Sequence, residues 1–355
     1  GARFKLAGAN WMGAENAGYV PGGLHLWDVD TLAGRLAGLG FNSVRLAFSN
    51  EMIEKNPVVD DAFLAANPAL KGRRALEVLD STIDALGRAG VVVILDNHIG
   101  DARWCCAAGD GNELWYSGRY PEEAWIADWV ALANRYGGHP AVAGAELRNE
   151  PRVMAAWDGS YDEFNWAPAA ERAGNAILAR APDWLIVVDG VAFSRDLQGA
   201  RERPVVLDVP DRLVYAAHDY RWFSHTPWTD YAKYRKEMMD RSGFLLEEGQ
   251  PWTAPVWYNE SGTCNWSPDC LDADDGEGLW CRHFRAWLAE TDADWSWWLW
   301  NGTHLVPDKG GKVEGFGILD PTWSRLALPA MMDALRPVMP ATTGPSTSAR
   351  SSSRQ

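Results

Sequence analysis

Val91-Val92-Val93-Ile94-Leu95-Asp96-Asn97-His98 is the stretch on which the fold turns. Its first five residues are apolar, and all but Leu95 are β-branched, so no polar side chain alternates with them. A strand with one wet face alternates; a strand that is apolar on both faces belongs in a parallel sheet covered by helices. The run closes on polar residues, which puts its chemistry at the C-terminal end of the strand.

Outward from this strand, apolar runs and helical patterns alternate about eight times. The runs are Phe4 to Trp11, Ser43 to Phe48, Val91 to Asn97, Ala141 to Asn149, Trp184 to Val188, Leu213 to His218, Pro255 to Glu260 and Trp295 to Trp300. Helical patterns fall near Asp28 to Leu39, Leu76 to Ala89, Glu122 to Tyr136, Ala169 to Ala181, Thr229 to Glu248, Leu279 to Glu290 and Leu326 to Leu335. Asp28 suits an N-cap, where a carboxylate oxygen takes an otherwise unpaired amide of the first turn. No Gly-x-Gly-x-x-Gly follows the first run, so the alternation predicts an α/β fold of the (β/α)8 TIM barrel type rather than an open doubly wound sheet. A single catalytic domain is expected over residues 1–340. Such barrels carry their chemistry at the C-terminal strand ends, and Arg45, Asn97, His98, Asn149, Glu150, His218, Glu260 and Trp300 collect there.

The 355 residues, 47% hydrophobic with 34 glycines, allow a large core with many tight turns. No run approaches the roughly 18 apolar residues of a membrane span, so no membrane partner is expected. A net charge of −15 argues against nucleic acid and against an anionic membrane surface. An uncharged substrate fits better. The 21 tryptophans offer flat apolar faces that suit both core packing and the C–H faces of sugar rings. Of the cysteines, Cys105, Cys106, Cys264, Cys270 and Cys281, none has zinc-site spacing, and the odd count leaves at least one unpaired within the chain. Cys264, Cys270 and Cys281 lie close enough along the chain for a local disulfide, with the pairing open. The start at Gly1 without Met fits a trimmed secreted protein, and 341–355 reads as a flexible Ser/Thr/Pro-containing linker.

Two of the apolar runs finish in Asn-Glu: the segment ending Asn149-Glu150, before Pro151, and Pro255-Val256-Trp257-Tyr258-Asn259-Glu260. Cleaving a glycosidic bond needs two carboxyl groups across one cleft, one to donate and then accept a proton, the other to attack the anomeric carbon or activate water. Glu150 and Glu260 are that candidate pair.

Asn42-Ser-Val-Arg-Leu46, Leu95-Asp-Asn-His98, Leu147-Arg-Asn-Glu-Pro151, the segments 169–177 and 205–220, and Trp295-Ser-Trp-Trp-Leu-Trp300 together resemble glycoside hydrolase family 5, a cellulase-type family of clan A. The likeness runs from about Phe4 to Leu335 and is greatest to bacterial secreted endo-β-1,4-glucanases. It implies a retaining double displacement on β-linked glucosides, with Glu150 as acid/base and Glu260 as nucleophile. It further implies that Asn149 bonds the 2-hydroxyl of the reacting sugar, that Arg45 keeps Glu260 ionised, that His98 and His218 bind or orient, that Tyr220 places a phenol beside the nucleophile, and that Trp300 is the platform under the ring. A monomer acting on oligo- or polysaccharide, with neither cofactor nor metal, is expected.

The chain departs from the family pattern at the nucleophile, where Asn259 and Ser261 stand in place of Gly and Phe. The segments 101–115 and 264–281 are also unlike a plain cellulase and would add walls to the cleft. Competing readings are therefore an exo-acting or glycoconjugate-directed β-glycosidase or transglycosidase, a non-catalytic carbohydrate-binding barrel, and a metal-dependent hydrolase, for which no two-His-plus-carboxylate set is visible. Trp104, Trp115, Trp222 and Trp257 are candidates for outer sugar subsites or for packing.

Overall fold

The structure is a computed structural model that describes residues 3–159, 161–223, 230–306 and 310–340. The 341–355 tail lies outside these residues. Eight parallel strands close into a barrel in sequence order: β1 (Ala7–Trp11), β2 (Ser43–Ser49), β3 (Val92–Ile99), β4 (Val142–Glu146), β5 (Leu185–Asp189), β6 (Leu213–Asp219), β7 (Val256–Ser261) and β8 (Asp294–Trp297), which pairs back onto β1. The expected barrel is the one found.

The two faces of each strand explain the continuous apolar runs. On β3, Val93 and Leu95 pack into the shell between barrel and helices, whereas Ile94 points inward to meet Val187, Val214, Ala216 and Trp257. Side chains two residues apart share a face, so Asp96 and His98 follow Ile94 on the inside. The same step takes β5 from Val187 to Asp189 and β6 from Ala216 to His218. The barrel interior therefore changes from apolar to ionisable along the strand direction.

Asp28 caps the helix Val29–Gly38, its side chain accepting from the Thr31 amide. The helix Glu122–Tyr136 has the extent read from its periodicity. The helix expected over Thr229 to Glu248 is shorter: Tyr231–Arg241 gives way to a 3-10 turn at Gly243–Leu246. A Cβ on Gly243 would lie 2.6 Å from the Trp287 ring, so close packing, rather than periodicity, governs that segment. The last helix begins at Pro329, not Leu326, as the fixed φ and missing amide of proline favour. After β8 an antiparallel hairpin of β9 (Thr303–Val306) and β10 (Gly310–Val313) was not foreseen, its strands being too short to stand out.

Among the described residues thirteen tryptophans are at most 2% exposed, so most of the indole content is core. Cys264 pairs with Cys270 in the loop after β7, Cys105 pairs with its neighbour Cys106, and Cys281 is buried and free.

Candidate active site

Glu150 sits just beyond the end of β4, on backbone that several groups hold in place. Trp125 and Trp129, one helical turn apart, both donate their indole N–H to the Leu147 carbonyl, each at 3.1 Å. The Asn149 amide bonds the Asn97 carbonyl at 3.0 Å, extending the strand register. Glu150 itself has φ +50°, a left-handed conformation that costs a non-glycine residue about 1–3 kcal/mol. Its amide donates to Ser194 Oγ at 3.1 Å, Ser194 donates to Asp189 at 2.7 Å, and Arg152 donates to the Glu150 carbonyl at 2.9 Å. Those bonds over-determine the conformation and aim the carboxyl into the cleft.

Glu260 is aimed by a bulge in β7. Ala216 pairs with Trp257 but His218 pairs with Glu260, so β7 carries one extra residue. Regular alternation from the inward Trp257 would have sent Glu260 into the outer shell; the extra residue turns it inward. The bulged residue is Asn259, whose carbonyl accepts from Asn10 at 3.1 Å and whose amide lies 3.3 Å from Asp189.

One oxygen of Glu150, one of Glu260 and a ring nitrogen of His218 lie within 4.8 Å of one another. That bound is in keeping with the roughly 5–5.5 Å between the carboxyl groups of a retaining pair and lies below the roughly 6.5–9.5 Å of an inverting one. The two acids have different neighbours. Glu260 accepts from Arg45 Nη1 at 2.8 Å and from the Tyr220 hydroxyl at 2.9 Å. Glu150 bonds His218 Nδ1 at 3.1 Å. Burial pushes the Glu150 carboxyl up. Burial also raises Glu260, a push that His218, Arg45 and the Tyr220 hydroxyl oppose, as Arg152, His98 and Arg45 oppose it at Glu150. Burial holds Tyr220 well above its usual range, which keeps it a donor, and pushes His218 down to about 4, which keeps that ring neutral.

Beneath the pair Arg45 is completely buried and serves five acceptors. Besides Glu260 it binds both oxygens of Glu146, Asn10 Oδ1 at 2.9 Å and Asn149 Oδ1 at 2.7 Å, with Asp96 at 3.3 Å. Burial opposes the Arg45 charge, yet the surrounding carboxylates hold it firmly protonated. One guanidinium cannot balance them all, so burial raises Asp96 to about 6 and lifts Glu146 and Asp189 as well. His98 is pushed well down by burial; its Nδ1 lies 2.7 Å from Asp96, which leaves Nε2 as an acceptor.

The cleft above these groups encloses about 500 Å³ and is lined by His98, Asn149, Glu150, Tyr220 and Glu260, with Trp222, Trp298, Phe316 and the Cys105–Cys106 disulfide among its apolar walls. One expectation is corrected here. Trp300 is fully buried, because β8 ends at Trp297 and the Trp300 amide is tied to the Asn10 carbonyl at 2.8 Å, which turns its ring into the core. Trp298 faces the cleft instead, stacked on His98 at 5.9 Å. Trp115 and Trp257 are core residues, Trp222 is half exposed and stacked on Tyr220 at 4.2 Å, and Trp104 stacks on His304 at the same distance. Arg45 and His218 lie under the cleft rather than in its wall.

Sequence reasoning missed Asn10, Asp96, Glu146 and Asp189. Asp96 and Glu146 each stand inside or beside a quoted strand, and their inward parity was the available signal. As for metals, Glu150 with Glu260 and His218 form a geometrically possible ligand set, but the Arg45 cation and the Tyr220 donor already occupy the Glu260 oxygens. His98 with Cys105 and Cys106 form another, with both sulfurs tied in a disulfide rather than offered as thiolates.

Residues 7–304 match the family model of cellulase, glycosyl hydrolase family 5. The chain is 32% identical to an endoglucanase of Paenibacillus polymyxa over 96% of this chain and 85% of that protein. It is 37% identical to the major extracellular endoglucanase of Xanthomonas campestris pv. campestris, over 62% of this chain and 46% of that one. An endocellulase of Pyrococcus horikoshii solved with cellotetraose superposes with a TM-score of 0.81 at 26% identity, covering 96% of this chain and 93% of that one.

Proposed function

The chain belongs to glycosyl hydrolase family 5, and from that premise we propose that it is a secreted, monomeric endo-β-1,4-glucanase that works by retaining double displacement. The observation that carries this reading is the pair Glu150 and Glu260, close together at the ends of β4 and β7 and differing in their donors.

Glu260, kept anionic by Arg45 and Tyr220, attacks the anomeric carbon while Glu150, protonated, gives its proton to the departing oxygen. Once Glu260 is esterified its negative charge is gone, the Glu150 carboxyl becomes more acidic, and it takes a proton from the incoming water. Asn149, oriented by Arg45, offers its amide N–H to the 2-hydroxyl, where the contact strengthens as positive charge grows on the ring. Trp298 presents an indole face to the sugar, in the place first assigned to Trp300. No helix among the described residues is long and apolar enough to cross a membrane; the relative named as the major extracellular endoglucanase of Xanthomonas campestris supports secretion. The test is product length: internal cutting of carboxymethyl-cellulose lowers viscosity long before reducing ends accumulate, whereas a barrel that only binds sugar releases nothing.

A second reading has one specific observation in its favour. The Trp104–His304 stack joins the loop after β3 to the hairpin after β8, bridging the rim above β1 and β2, and His304 is braced by Glu314 at 2.7 Å. A wall there shortens the cleft and favours chain ends or a glycoconjugate. Cellotetraose released only from one end, with carboxymethyl-cellulose viscosity unchanged, would establish it over the endo reading.

A further inference from the structure

We propose that the Cys105–Cys106 disulfide is a positioning element of the sugar subsite, holding the Asn149 amide ready for the 2-hydroxyl of the reacting ring, and that a dithiol therefore lowers activity. This rests on the reading of Asn149 given above.

Asn149 Oδ1 accepts from Arg45, which settles the end of the amide that is oxygen. Its Nδ2 then lies 3.4 Å from Cys106 Sγ, 3.7 Å from Cys105 Sγ and 3.5 Å from His98 Nε2. Arg45 fixes the oxygen end of the amide; at its nitrogen end stand His98 Nε2 at the limit of a hydrogen bond and two sulfurs, weak acceptors that help to orient the amide without satisfying its hydrogens. A carboxylate or carbonyl in that position would compete with the sugar oxygen; a methyl group would orient nothing. The disulfide also lines the cleft directly, with Cys105 nearly buried and Cys106 partly open.

The loop that carries it is tied to the acid. Arg152 grips both oxygens of Asp110 at 2.8 and 2.7 Å while also bonding the Glu150 carbonyl, and Asp110 receives the Ala107 amide at 3.0 Å. Asn112 receives the Gly100 amide at 3.1 Å. Disulfide, Asn149 and Glu150 thus share one framework. Reduction breaks the S–S bond and forms two S–H bonds, while the dithiol gives up two hydrogens and closes to its own cyclic disulfide. Each free thiol is then a rotatable donor and acceptor against the same amide.

The experiment compares hydrolysis of an aryl β-cellobioside with its analogue lacking the 2-hydroxyl on the reacting sugar, in the wild type, in Cys105→Ser/Cys106→Ser, and in wild type treated with dithiothreitol and then reoxidised. Thermal melting is recorded alongside. The expected result is a fall in kcat/KM of tenfold or more on the hydroxylated substrate, less than twofold on the 2-deoxy substrate, and recovery on reoxidation. Equal losses on both substrates would mean that the disulfide merely staples its loop and would overturn the proposal, as would unchanged kinetics. If the double variant does not fold, the reduced wild type decides by the same ratio. A wild type that does not distinguish the two substrates sinks the Asn149 reading itself, a separate failure.

Discussion

The two ends of the barrel interior are built from opposite materials. Nearer the strand starts, Ile94, Val187, Val214, Ala216 and Trp257 meet in an apolar cluster. Two residues after Ile94, Val187 and Ala216 on the same strands come Asp96, Asp189 and His218; Asp96, Glu146 and Glu260 pair with Arg45, and His218 lies against Asp189 and the Glu150–Glu260 pair. The first end is ordinary packing; the second concentrates buried charge, a bulge at Glu260 and a left-handed Glu150. What the contrast teaches is a division of labour. Regular apolar packing fixes where each strand ends, and that rigidity lets the opposite end hold groups in states that would not persist alone.

The comparison can be broken most forcefully at the charged end. Glu260→Ala should lower kcat by at least about 10⁴-fold with little change in melting temperature. Azide should restore turnover and give the α-glycosyl azide, since it enters the face that the carboxylate vacated. A β-azide would place Glu260 in the acid/base role instead. Next, Arg45→Met leaves Glu146, Asp96 and Glu260 buried without their cation and should cost about 3–5 kcal/mol in chemical denaturation, with activity lost too. At the apolar end, Ile94→Val should cost about 0.5–1.5 kcal/mol and leave kcat/KM within about twofold. A large kinetic effect there would show that the two ends are not separable.

The smallest effect concerns pH. Burial raises Glu15 and Asp128 to about 7 and Asp96 to about 6. The folded state therefore binds more protons than the unfolded chain, whose carboxyls titrate near 4. The contribution of these groups is most favourable below about pH 4 and is lost as pH rises through 6 to 7. Differential scanning calorimetry should find a lower melting temperature at pH 8 than at pH 5. Asp128→Asn, which keeps an acceptor for Asn50, should recover about 2 °C at pH 8 and nothing at pH 4.

The fold was legible because strand and helix patterns are local: Val91 to Leu95 declares a doubly covered strand, and helical patterns follow seven of the eight runs. The acids were legible because both end their strands in Asn-Glu. What escaped depends on features without a local signature. A bulge decides that Glu260 faces inward, and the early end of β8 decides that Trp298 rather than Trp300 meets the cleft. Asp96 and Glu146 sat inside recognised strings, but their importance comes from a guanidinium contributed by another strand. The Cys105–Cys106 pairing likewise needed the loop to be seen.

The measurement that bears most directly on the carboxylate pair is proton NMR of the first product formed from a β-linked cello-oligosaccharide, recorded before mutarotation. The β-anomer should appear first and the α-anomer only later, as equilibrium is approached. An initial α-anomer would mean a single displacement by water, and would contradict an attack by Glu260 on the sugar.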